Sequence, residues 1–488
     1  MKQKLLFIAG LIFVSPVIYS FCGFYVSKAD GTLKNKTSQV ILVRDGNRNV
    51  ITMYNDFKGD IKDFAMVVPV PVVLNKEDIK VVNQNIFQLL NDYSAPRLVE
   101  YYDENPCEPR YDVLMEASVS KSVTEDLAPS PNSVRKKDLG VKVEAQYLVG
   151  EYDIMILSAK ESGGLKTWLT ENGYKIPAGA EEVLDPYIKS NLKFFVVKVN
   201  PKQQKKMNNN FLRPLQISFN SPKFMLPIRL GMANADGDQD LIVYAFTRKG
   251  RIECTNYRNV NIPTGQNIPL FIKDNFNSFY SNLFSKQWTN EGKNIGFLEY
   301  AWNVSPQNYL KCDPCVGNPP APQDLVQAGV FWLNRDNNEY RNIDDEVDYS
   351  DEVFFTRMHF RYNRKSFAQD LQFQVTPNNE NFQARYIITH PATGKFQCAE
   401  GQKYLRDLKQ RRKTELKNLT TLTGTNIDTW QQIALSNEEA SGRNEMYTTV
   451  MSEVKEERAH ESASGSGVLI LGVIMLGSAG LMKWKGMI

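Results

Sequence analysis

Cys312-Asp313-Pro314-Cys315 is the sharpest local arrangement of reactive residue types in the sequence. Two thiols separated by two residues suit thiol–disulfide exchange when they open a helix, whose N-terminus stabilises the thiolate. Here Asn318-Pro319-Pro320-Ala321-Pro322 follows and blocks a helix directly after the pair. A zinc reading would recruit Cys398 and His390 as distant ligands, a combination that arises readily by chance. Structural disulfides pinning a proline-rich loop are the preferred reading, with redox and metal as alternatives. All six cysteines (Cys22, Cys107, Cys254, Cys312, Cys315 and Cys398) are disulfide candidates, and six allow 15 connectivities.

Three other stretches carry charge in a suggestive pattern. Asn234, Asp236, Asp238 and Asp240 put an oxygen at every second position, which resembles the start of a calcium loop and makes Asp236, Asp238 and Asp240 weak metal candidates. The bidentate glutamate that completes such a loop is missing, since Ala245 stands there, and a polar turn explains the same residues. The acidic run Asp344, Asp345, Glu346, Asp348, Asp351 and Glu352 reads as a solvated loop. In 351–363 strand alternation sends Phe354, Met358, Phe360 and Tyr362 to one face and Arg357, His359 and Arg361 to the other. With Arg364 and Lys365 nearby, that second face is a candidate surface for an anionic glycan, a phospholipid headgroup or an acidic partner. The plainer reading is the wet side of a sheet. Lys403, Arg406, Lys409, Arg411, Arg412 and Lys413 form a basic helix face that would suit anionic headgroups, or simply water.

Histidine is scarce: His359, His390 and His460 are the full set of 3. No G-x-S-x-G elbow, H-E-x-x-H pair or phosphate-binding G-x-x-x-x-G-K-[ST] accompanies them. A paired-carboxylate hydrolase leaves no sequence signature, so it stays open. No catalytic residue, cofactor or firm metal site is assigned. A net charge of +3, with no concentrated basic domain, argues against a dedicated nucleic-acid binder.

The elements that would position these residues are mostly strands. SQVILVR and RNVITMYN form a hairpin about Asp45-Gly46. FAMVVPVPVVL is expected at a sheet edge or as an extended segment, because Pro69 and Pro71 cannot donate to a ladder. A short helix within 81–93 ends at Ala95-Pro96. KVEAQYLV and EYDIMILSA pair about Gly150, two helices follow over 161–171 and 178–190, and NLKFFVVKV is a strand. LQISFN, MLPIRLGM, DLIVYAFT and RIECTNY read as strands, with Arg248-Lys249-Gly250 turning the last pair, and FQARYIITH–PATG–KFQC as another hairpin. Beyond Gln402 the apolar spacing is helical.

The ends give an address. Lys2 and Lys4 before the apolar run Leu5–Ile18 read as a secretion signal over 1–20. Ser462–Met482 carries no charge and as a helix reaches roughly 31 Å, enough to cross a bilayer. Lys483-Trp484-Lys485 marks its cytoplasmic edge. The divisions expected between are a β-rich lobe over 21–115, a linker over 116–140, a central α+β region over 141–400, a helical segment over 401–434, a polar stalk over 435–461, and a tail from 483 to 488. The fold class is α+β, mostly antiparallel, in two or three lobes with a helical insert.

CGFYV, FAMVVPVPVVL, SAPRLVEYY, VKVEAQYLVGEYDIMILSA, ENGYKIP, LKFFVVKV, LPIRLGMANADGDQDLIVY, KCDPC and FQARYIITHP together resemble the bacterial domain-of-unknown-function family 2330 over about Cys22 to Gly424. The resemblance implies a bacterial, exported, membrane-anchored protein and brings no catalytic residues. The function expected is a non-enzymatic envelope module, binding or structural. It would be tethered to the membrane by its C-terminal helix, with its bulk in the periplasm or at the cell surface and an envelope protein or glycan as partner. A carboxylate-pair hydrolase or a thiol–disulfide protein is the alternative.

Overall fold

A computed structural model describes residues 24–25, 37–54, 65–108, 140–172, 174, 180–203, 212–233, 237–306, 318–333, 352–430 and 451–452. The expected signal segment 1–20, Cys22, most of the expected 116–140 linker, Asp236, Cys312, Cys315 and the expected membrane span 462–482 lie outside them. Among the described residues no helix is long and apolar enough to cross a membrane. The chain forms two compact units. The first draws on Met1–Ala95, Thr124–Asn261 and Glu291–Gln383, and the second on Pro96–Val123, Ile262–Asn290 and Ala384–Ile488.

The fold class is α+β and rich in strands, and the first unit is built on two large sheets. The larger contains β2 (Thr37–Asp45), β3 (Arg48–Tyr54), β5 (Ile79–Val81), β10 (Leu215–Asn220), β12 (Gln239–Thr247), β14 (Arg258–Asn261), β15 (Ile295–Asn303), β16 (Phe354–Tyr362) and β18 (Phe382–Gln383). Its order is β14-β15-β16-β12-β2-β3-β10-β5, with β18 on β15. β2 and β3 make the hairpin that Asp45-Gly46 signals, and Gly46 takes the positive φ of 53° its turn requires. The central contact between β12 and β2 is parallel. The other sheet runs β1 (Phe24–Tyr25), β4 (Ala65–Val70), β9 (Lys193–Val199), β8 (Tyr152–Ala159) and β7 (Val141–Val149).

Side chains from the facing sides of the two sheets meet in one apolar core: Val40, Leu42, Val243 and Met358 from the larger sheet against Met66, Val68, Ile154 and Val197 from the smaller. Each sheet is covered on its other side by helices. α2 (Ser162–Glu171) and α3 (Ala180–Lys189) lay Leu165, Trp168, Leu169, Leu184 and Tyr187 on the smaller sheet. α1 (Asn85–Ser94) lays Ile86, Phe87, Leu90 and Tyr93 on the larger one, helped by Leu325 of α5 (Pro322–Gln327). The apolar spacing of α1 marks that face, and the chain leaves the helix at Ala95 because a residue before proline is pushed out of the α region. The result is a four-layer unit: helix, sheet, sheet, helix.

Several expectations change here. β4 is fully buried between β1 and β9 instead of lying at an edge. Among the described residues β1 reaches only Met66 and Val67, so none of them stands opposite Pro69 on that side. β12 does not turn back into a hairpin at Arg248-Lys249-Gly250. The next strand, β13 (Ile252–Cys254), leaves for a separate sheet with β17 (Leu371–Val375) and β11 (Met225–Leu226). The second β run after residue 380 is not a hairpin either. β19 (Arg385–His390) pairs in parallel with β6 (Arg97–Tyr102), and KFQC carries no strand.

That parallel pair belongs to the second unit, with α4 (Phe276–Asn290) packed on α6 (Ala399–Thr423). Leu408, Leu416, Leu419 and Leu422 of α6 are buried, and Phe279 of α4 meets Tyr386 edge-on at 5.0 Å. A disulfide joins Cys107 to Cys398, which caps α6 and accepts the Gly401 amide at 3.2 Å. A Cβ at Gly401 would stand 2.8 Å from Cys107 Sγ, so this turn needs glycine.

Candidate functional site

The stripe expected to be a wet, anion-binding face is an internal charge ladder. β16 alternates as its sequence indicates, but α1 covers its second face, leaving Arg357 5% exposed. Arg357 Nε donates to Glu299 Oε2 at 2.6 Å, and its Nη1 to Asn91 Oδ1 of α1 at 3.0 Å. His359 Nδ1 lies 2.8 Å from Glu299 Oε1, and its Nε2 lies 3.3 Å from Asp240 Oδ1. Arg361 grips Asp240 with Nε at 2.7 Å and Nη2 at 3.0 Å. Arg357, His359 and Arg361 are thus each paired with an acid inside the packed unit.

Glu299 reaches the ladder through a register shift. Leu298 stands opposite Met358 and Tyr300 opposite Arg357, which leaves Glu299 as the extra residue of a β-bulge in β15. Its carboxylate, fully buried, then serves two cations from neighbouring positions of β16. Burial alone would raise the Asp240 carboxyl, but bonds to His359 and Arg361 overcome it and bring it down to about 2. Burial likewise opposes charge on His359, yet the carboxylates of Glu299 and Asp240 outweigh it and hold the imidazole above its usual range. Glu299 and Asp240, each bonded by an arginine and facing the His359 ring, are engaged in holding the structure together.

The other expected residues disperse. Asp240 is spent on Arg361 and His359, and Asp238 accepts from Asn363 Nδ2 at 2.5 Å. Among the described residues no group of three or more His, Cys, Asp and Glu could hold a metal ion. Cys107 and Cys398 form the disulfide, whereas Cys254 is a buried free thiol, pushed up by its burial. Its Sγ sits 3.3 Å from Asn256 Oδ1. His390 bonds Glu100 Oε2 at 2.7 Å through Nε2. The basic face of α6 is split: Lys403, Arg406 and Lys409 are exposed, Arg411 pairs with Asp103, and Arg412 is buried on Glu415 at 2.8 Å.

What the sequence reading missed is a pair of adjoining clefts in the first unit, each about 500 Å³, which share Pro222, Phe224 and Phe373 as walls. The Phe224 and Phe373 rings are tilted at 5.5 Å. Arg44, Arg248 and Lys249 line one cleft. Arg44 is only 8% exposed; it donates to Asn49 Oδ1 at 2.7 Å and to the Ser221 carbonyl at 2.8 Å, and stacks 5.4 Å over Phe224. No carboxylate pairs with it among the described residues. Asp45, the acid in this cleft, is engaged by Arg248 at 2.8 Å. Lys223, Arg229 and Asp370 line the other cleft. Burial pushes the Asp370 carboxyl up, against the hydrogen bonds it accepts from the Tyr187 hydroxyl at 2.7 Å and the Arg229 amide at 3.1 Å. The only sequence signal for the clefts was a scatter of basic residues at strand ends, which β17, β11 and β13 bring together.

A family model described as an uncharacterized protein conserved in bacteria, DUF2330, matches residues 16–374. The match ends before β19 and α6, so it is shorter at the C-terminal side than the resemblance in the sequence had suggested. No curated protein and no solved structure matches.

Proposed function

The chain belongs to this DUF2330 family, and from that premise we propose that it is a membrane-anchored, extracytoplasmic binding module of the bacterial envelope, not an enzyme. The observation that carries the reading is Arg44: a residue 8% exposed, paired with no carboxylate among the described residues, that lines an open cleft. A buried charge is costly unless something compensates it, and a ligand's negative group would do so. The Cys107–Cys398 bond supports the address, because structural disulfides persist in oxidising compartments. The charged flank and apolar span at 462–482 supply the tether. The carboxylate-pair hydrolase finds less support. Glu299 and Asp240 are both bonded by arginines, and Asp370, the raised carboxyl, has no second acid among the described lining residues of its cleft.

Protease added to spheroplasts tests the address. The body should be digested while Lys483-Trp484-Lys485 survives on the membrane fraction, and Cys107 and Cys398 should resist alkylation until reductant is added. Clipping of the lysine tail with the body spared would overturn the reading.

A further inference from the structure

We propose that the two clefts flanking Phe224 and Phe373 form one site for an acidic glycan, a chain of sugar rings carrying carboxylates. The assignment rests on the binding-module reading and names its ligand class. Charge comes first. Arg44 has no acidic partner among the described residues, and Arg248, bonded to Asp45 and lying 4.8 Å over the Trp332 ring, keeps a buried Nη1 with no hydrogen-bond acceptor among them. Buried donors without acceptors are rare in folded proteins and call for an explanation. Lys249 is exposed on the same cleft, and Lys223 and Arg229 continue the positive lining into the next one. The acids present are engaged within the protein: Asp45 by Arg248, and Asp370 by Tyr187 and the Arg229 amide.

Shape and polarity then select among anions. Each cleft falls in the roughly 300–1,000 Å³ range of small-ligand sites, and the two lie side by side on Pro222, Phe224 and Phe373, so a ligand longer than a single ion could lie across both. Phe224 gives that wall an apolar ring, suited to the CH-rich face of a sugar, while Ser190, Thr255, Gln369 and Gln372 offer hydroxyl and amide groups in the second cleft. An acidic peptide would add main-chain pairing to a strand edge. That option is closed here. The amides of Gln372, Phe373 and Thr376 are taken by Asn256 Oδ1, the Phe224 carbonyl and the Arg251 carbonyl. Recognition falls to side chains, which suits a glycan.

The test is calorimetric titration of the full-length protein in detergent with hexagalacturonate, maltohexaose and hexaglutamate. Hexagalacturonate should bind, and the neutral sugar and the acidic peptide should bind at least roughly tenfold more weakly. Arg44→Gln should weaken hexagalacturonate roughly tenfold or more. Arg44 also braces the turn at Ser221, so Lys249→Glu, at an exposed position, is the second variant and should act in the same direction. Lys273→Gln, in the other unit, should leave binding unchanged. Equal binding of hexaglutamate, no loss on Lys249→Glu, or no heat from hexagalacturonate with folded protein would each overturn the glycan assignment. If all three probes stay silent while the spheroplast result holds, the ligand class fails alone. An inverted spheroplast result removes the underlying reading.

Discussion

Glu299 and Arg357 meet at 2.6 Å in the interior of the first unit, and the glutamate is there because β15 carries one residue more than β16 opposes. A bulge that delivers an acid to two cations makes their charges interdependent. Removing Glu299 leaves Arg357 and His359 desolvated, with their shared acceptor gone. Glu299→Leu should therefore cost about 3–5 kcal/mol, read from urea midpoints. Glu299→Leu combined with Arg357→Met should recover much of that loss, since an apolar replacement of a buried pair is often neutral.

The ladder also sets a pH window. Asp240 is lowered in the folded chain from an unfolded value near 3.9 to about 2, so its contribution is present above pH ~4 and lost as pH falls towards 2. Its size is about 2–3 kcal/mol. His359 is raised, so its contribution is complete below its unfolded value of about 6.5 and is lost as pH climbs through the higher folded value. Urea stability of the protein should peak between pH ~4 and ~6.5. His359→Gln should flatten the alkaline limb and leave the acid limb in place.

The disulfide closes a loop with a sequence separation of 291. Cys107→Ala with Cys398→Ala should lower stability by about 3–5 kcal/mol, seen as a drop in melting temperature that reductant reproduces in the parent chain. In peptide mapping after brief alkylation, Cys254 should stay unlabelled in the native protein and react once it is unfolded, because its thiol is buried and raised.

Gly296 stands opposite Phe360, whose ring lies where a Cβ at 296 would be built. Gly296→Ala should cost about 1–3 kcal/mol through displacement of that ring, measured by chemical denaturation. Phe360→Leu introduced alongside it should relieve part of the cost.

Local signals in the sequence located the elements well: the Asp45-Gly46 hairpin, the pairing about Gly150, α2, α3 and the alternation of β16 all stand where spacing put them. What spacing cannot carry is what lies over a strand. Arg357 looked like part of a wet face because nothing in 351–363 announces that α1, from 85–94, will pack against it. The bulge at Glu299 is equally silent, since nothing in IGFLEYAWN marks where its register with β16 shifts. Cys254 and Cys398 are the same residue type and both lie in runs that read as strands, and only long-range pairing decides which one meets Cys107. The clefts depend on three short strands drawn from 225–226, 252–254 and 371–375, too distant for any window to join.

The parallel contact between β2 and β12 bears on how the protein is made. The first hairpin leaves the ribosome early, yet its central neighbour is encoded at 239–247. At about 5–20 residues per second the wait is on the order of tens of seconds, with Val40 to Val43 uncovered throughout. A nascent chain in that state is a natural client for a holding chaperone.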